Sequence, residues 1–81
     1  MRKECIELLT DGNREIEFAY NNKRYSITYF RENGKKKISF CEFYQEPTDV
    51  DTCSELLRIM VDGDTLGNIL AKVPDSAFII H

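Results

Sequence analysis

The chain has 81 residues, 42% of them apolar and 31% charged, with 14 acids against 11 bases and a formal net charge of −3. A chain this short makes one domain with a small core. Its acidic balance argues against a dedicated nucleic-acid binder, because such binding is dominated by phosphate neutralisation. No apolar run approaches the ~20 residues of a membrane span.

Residues 2–10 are predicted to form a short helix. Cys5, Ile6, Leu8 and Leu9 make an apolar stripe at helical spacing, and Asp11-Gly12 supplies the stop. Residues 14–44 carry a double hairpin. Asn21-Asn22 and Asn33-Gly34 are turn pairs that tolerate the positive φ angles of two-residue type I′ turns. Placing turns there makes Phe18 face Tyr25, Ile16 face Ile27, Arg14 face Tyr29, Ile38 face Tyr29, and Phe40 face Ile27. One face then collects Ile16, Phe18, Tyr25, Ile27, Tyr29, Ile38 and Phe40. The other collects Glu15, Glu17, Arg24, Ser26, Thr28 and Ser39. A one-residue slip would destroy this segregation. The strands are expected at about 14–20, 24–31 and 36–44, with Pro47 ending the third.

A second helix is expected from near Thr52. Thr52 and Glu55 have capping-box spacing, and Asp49 and Asp51 lie beside the positive end of the helix dipole. Leu56, Leu57, Ile59 and Met60 are its expected apolar face, broken by Val61-Asp62-Gly63-Asp64. Thr65 or Asp64 can cap a third short helix carrying Leu66, Ile69 and Leu70, which Pro74 stops. Ala77-Phe78-Ile79-Ile80 closes the chain as an apolar strand, with a lean towards an interior place beside the first strand. The expected fold is an α+β two-layer sandwich of order αβββααβ, with a mainly antiparallel sheet of three to four strands covered on one face by helices.

Cys5, Cys41 and Cys53 are odd in number and form no Cys-x-x-Cys pair, so they are expected as reduced thiols packing mostly as small apolar groups. Together with an N-terminal stretch that lacks a hydrophobic leader, this predicts a cytoplasmic protein. Charge is unevenly placed along the chain. Residues 23–37 hold six bases and one acid, a balance of plus five, and residues 42–64 hold seven acids and one base, a balance of minus six.

Two charged sets are candidate sites. Lys35, Lys36 and Lys37 with Arg31, near Tyr25, Tyr29, Phe30 and Phe40, could contact a single strand of nucleic acid. The preferred reading is a solvated tip whose lysines discourage sheet-to-sheet aggregation. Glu46, Asp49, Asp51 and Glu55 lack the glycine and the late bidentate glutamate of a calcium loop, so no metal is assigned to them. Helix capping explains them, and they also form an acidic edge suited to docking a protein. Glu42 points to the apolar face opposite Tyr25. Either a bulge near Cys41 turns it outward and brings Phe43 inward, or it accepts hydrogen bonds from tyrosine hydroxyls. His81, the single histidine, has no catalytic constellation around it. The glycines Gly63 and Gly67 make no phosphate loop.

The element order αβββα resembles the double-stranded RNA-binding domain. That domain places a lysine-rich cluster at the start of its last helix. Here that position reads Thr48-Asp49-Val50-Asp51-Thr52, which would repel phosphate, so the function does not carry over. The run Phe40-Cys41-Glu42-Phe43-Tyr44-Gln45-Glu46-Pro47, followed by Val61-Asp62-Gly63-Asp64-Thr65-Leu66, resembles small functionally uncharacterised bacterial proteins. That resemblance implies a bacterial origin and no activity. The sequence thus predicts a non-enzymatic binding module with no cofactor. Its expected partner is a protein, which could be a second copy of itself in a homodimer, and nucleic acid is the alternative.

Overall fold

The three central strands are antiparallel because tight turns join them. A computed structural model covering residues 1–81 shows β1 (Ile16–Tyr20), β2 (Lys23–Glu32) and β3 (Lys35–Glu42) as that meander. The turn residues Asn21 (φ 50°), Asn22 (φ 61°), Asn33 (φ 53°) and Gly34 (φ 78°) all have positive φ, as type I′ hairpins demand. The register is the one the turns dictate: Ile16 opposite Ile27, Phe18 opposite Tyr25, Phe40 opposite Ile27 and Ile38 opposite Tyr29. Ile16, Phe18, Tyr25, Ile27, Ile38 and Phe40 are buried together on one face. Tyr25 stacks between Phe18 and Phe40, with ring centroids 5.3 and 5.5 Å away.

Three helices cover that face. Helix α1 spans Lys3–Asp11, α2 spans Cys53–Leu57 and α3 spans Leu66–Lys72. They contribute Ile6, Leu56, Leu66, Ile69 and Leu70 to the core. Thr52 caps α2: its hydroxyl accepts the Glu55 amide at 3.1 Å and donates to the Glu55 carboxylate at 3.0 Å. Thr65 caps α3 by accepting the Asn68 amide at 3.3 Å. The Asp64 carboxylate adds to this cap, accepting from the Thr65 amide and the Asn68 side chain and pairing with Lys72 at 2.9 Å.

The architecture is α+β with a five-stranded antiparallel sheet, larger than expected. Two short edge strands account for the difference: β4 (Thr48–Val50) pairs with β3, and β7 (Ile79–Ile80) pairs with β1, giving the order β4-β3-β2-β1-β7. β7 is therefore beside the first strand but at an edge, and an interior place is excluded. Phe78 alone of its neighbours turns into the core, after a 3-10 turn at Asp75–Ala77.

Other local expectations are corrected. The second helix stops at Leu57, so Ile59 and Met60 do not belong to it. Met60 starts a small separate hairpin, β5 (Met60–Val61) and β6 (Asp64–Thr65), turned by Asp62 (φ 51°) and Gly63 (φ 83°). On α1, Ile6 and Thr10 are the buried residues. Cys5 and Leu8 face solvent, because a nine-residue helix on the surface buries only one narrow stripe.

Two outcomes check this packing. Ile27→Ala is expected to cost about 2–4 kcal/mol in denaturant unfolding, because Ile27 is fully enclosed and its loss leaves a cavity. The Asp64 carboxyl is held down from its ordinary value of 3.8 to about 2, first by the Asn68 side chain, then by Lys72 and the Thr65 amide. Its folded pKa lies below its unfolded one, so its contribution to stability is present above pH ~4 and is lost as pH falls towards 2. Asp64→Asn is expected to flatten the stability curve in that window and leave its slope near neutral pH unchanged.

Candidate interaction surface

Folding brings the acidic and basic stretches into contact. β4 lies against β3, so the acids of residues 49–51 sit beside the lysine hairpin. Lys37 pairs with the Asp51 carboxylate, whose hydrogen bond raises the lysine pKa and lowers that of the acid. Lys36 lies over the Tyr29 ring, 5.1 Å from its centroid, and its ammonium donates to the Thr10 carbonyl. Arg31 donates to the Gly34 carbonyl at 3.2 Å. Of these four bases only Lys35 is unengaged. A fully solvated tip is thus corrected: Lys36 and Lys37 belong to the hairpin's own packing.

The acidic set is divided in the same way. Asp51 is taken by Lys37 and Glu55 by Thr52, whereas Glu46 lies exposed in the loop before β4 and Asp49 exposed within it. These four acids form no single cluster, and no three His, Cys, Asp or Glu side chains come together as a metal-binding group.

Glu42 keeps its place opposite Tyr25, and the ladder runs without a bulge from Glu32 and Lys35 to Tyr25 and Glu42. Phe43 consequently stays on the open face of the sheet, where the Arg24 guanidinium lies 5.2 Å from its ring centroid. Both explanations offered for Glu42 therefore fail. Its carboxylate meets Lys23 at 3.9 Å, and Lys23 also reaches Asp62 at 3.5 Å. The Tyr25 hydroxyl is buried with no hydrogen-bond partner, and burial pushes its pKa up. The thiols are dispersed: Cys5 is exposed and Cys41 and Cys53 are half-buried, so packing as small apolar groups fails for Cys5. Burial raises the Cys53 pKa, which disfavours its thiolate.

The remaining feature is apolar, and no charged motif announced it. A hollow of 380 Å³ beside β7 is lined by Met1, Cys5, Leu8, Leu9, Ile80 and Asp75. Leu8 is 71% exposed, Ile79 49% and Ile80 41%. The Met1 nitrogen is fixed by donating to the Leu70 carbonyl at 2.6 Å, which holds this side chain at the rim. β7 itself is held on β1 by the His81 amide donating to the Glu15 carbonyl at 2.9 Å and by Arg14 donating to the His81 carbonyl. His81 also pairs with Glu17 on the open face.

The two sheet edges differ sharply in protection. β4 follows Pro47 and carries Asp49 and, just beyond it, Asp51. Charges and proline are what natural edges use to avoid pairing with other chains. β7 has an isoleucine on each face and no charge within it. No helix is long and apolar enough to cross a membrane. No family model, curated protein or solved structure matches this chain.

The hairpin packing has a direct check. Lys36→Ala is expected to cost about 1 kcal/mol, from the loss of its contact with Tyr29 and of its hydrogen bond. Lys35→Ala is expected to change stability by less than about 0.5 kcal/mol. Urea titration of the two single variants measures both values.

Proposed function

We propose that this chain is a non-enzymatic protein-binding module whose partner is a second copy of itself, joined through β7 and the adjoining apolar hollow. The observation that carries the reading is the unprotected edge. A strand apolar on both faces is suited to the interior of a sheet, yet β7 ends the sheet with half-exposed isoleucines. Glu17 and Ile79 pair, and His81 reaches Glu15, so the Ile80 amide and carbonyl between them point outward by the alternation of an antiparallel ladder. A two-fold axis beside Ile80 lets two copies exchange those groups and continue one sheet through both. The same axis brings Leu8, Cys5 and Met1 of each copy towards the other, covering apolar surface that water now meets.

The acids Glu46 and Asp49 remain available to a basic partner, but they flank the protected edge and have no apolar centre between them. The nucleic-acid alternative loses support because three of its four bases are engaged within the chain. A cytoplasmic setting suits this reading, since an exposed Cys5 beside a self-association surface is compatible with a reducing environment.

Sedimentation of the wild type and two variants tests the proposal. The wild type is expected to associate in a concentration-dependent way, and Ile80→Lys and Leu8→Glu are each expected to sediment as folded monomers with unchanged circular dichroism. A wild type that stays monomeric to about 1 mM would overturn it.

A further inference from the structure

A second concavity lies on a different part of the molecule, between α1, α2 and α3. It encloses 340 Å³, at the lower end of the size of small-molecule sites. Ile6 and Leu70 are almost fully buried and make its floor, and half-buried Leu57 makes part of its wall. Lys3, Arg58, Ser54 and Asn68 supply its polar margin, and no carboxylate lines it. In a chain of net charge −3, a hollow bordered by two cations and no acid is a local reversal of sign.

The state of these cations distinguishes them from most others in the chain. Lys23, Arg24, Lys37 and Lys72 all pair with carboxylates, and Arg14, Arg31 and Lys36 donate to backbone carbonyls. Arg58 has neither kind of partner, and it borders the cavity. Lys3 has only a 3.8 Å contact with Glu7 one turn along α1, with both groups exposed, which is worth little and is readily exchanged. One wall of the cavity is closely packed. Gly67 lies so near α2 that an added Cβ would stand 3.2 Å from the Leu57 carbonyl oxygen, so the α2–α3 wall is fixed.

From this combination we infer that the cleft between the three helices binds a small organic anion, a carboxylate on a short aliphatic body, with Arg58 and Lys3 holding the charge and Ile6, Leu57 and Leu70 receiving the body. The arginine fork matches the two carboxylate oxygens, and lysine adds an untargeted positive charge. The Ser54 hydroxyl can donate to the same group. The apolar floor favours a carboxylate with hydrocarbon attached over a bare inorganic anion, whose remaining oxygens would lose water against Ile6 and Leu70 without compensation.

Titration of the full chain with hexanoate, followed by amide NMR shifts, tests this site. Saturable millimolar binding is expected, with shifts concentrated at Lys3, Ser54, Arg58 and Gly67. Hexanol and inorganic phosphate are each expected to bind at least about tenfold more weakly, because each lacks one half of the match. Arg58→Leu is expected to weaken hexanoate about tenfold while leaving the thermal midpoint nearly unchanged, and Lys3→Gln serves as an independent variant if the first does not fold. Hexanol binding as tightly as hexanoate, phosphate binding as tightly as hexanoate, shifts located elsewhere, affinity unaffected by either variant, or no saturation at all would each overturn the inference. None of these results depends on the oligomeric state.

Discussion

Everything in this fold depends on Ile16, Ile27 and Ile38 standing on the same side of the sheet. The three lie across β1, β2 and β3 and are almost wholly enclosed. Only one sheet face is covered, so a slip of one residue would carry every isoleucine to solvent and bring glutamate and serine against the helices. Positive φ at Asn21, Asn22, Asn33 and Gly34 prevents that slip by fixing loop lengths of two residues. The helices then have only one surface to pack on. Capping by Thr52 and Thr65 decides where α2 and α3 begin, and the close approach at Gly67 decides how near α3 comes to α2.

The central meander was legible because turn chemistry and alternation of polarity are both local, and each implied the same partners. The two edge strands were not, because β4 and β7 are three and two residues long and have no periodicity to read. Thr48-Asp49-Val50 reads as the approach to a helix and becomes a strand only because β3 offers it hydrogen bonds. The β5–β6 hairpin did carry a signal: Asp62-Gly63 is a type I′ pair like Asn33-Gly34. Its flanking strands of two residues made it read as a break between helices. On α1, an apolar stripe of four residues suggested four buried side chains, whereas the helix encloses Ile6 fully and leaves Leu8 outside.

Charge shows how far linear patterning departs from surface patterning. The basic hairpin and the acidic segment are separated along the chain, which suggests a molecular dipole. In three dimensions β3 and β4 are neighbours, and Lys37 meets Asp51. The separation is thus spent inside the molecule, on fixing an edge strand. The candidate surface that remains is apolar, made of residues 1, 5, 8, 9 and 80 that no sequence window contains together. Its members were individually visible as apolar, but their exposure depends on how α1 lies beside β7. The hollow adjoins the open edge because Met1, Cys5, Leu8 and Leu9 come together beside Ile80.

The central claim is that the sheet is guarded at β4 and open for pairing with a second copy at β7. Amide hydrogen exchange measured residue by residue at low and high protein concentration addresses it most directly. Exchange at Ile80 is expected to slow as concentration rises, while exchange at Asp49 on the opposite edge stays constant. Ile80 exchange independent of concentration, or protection that develops at β4 instead, would contradict the account.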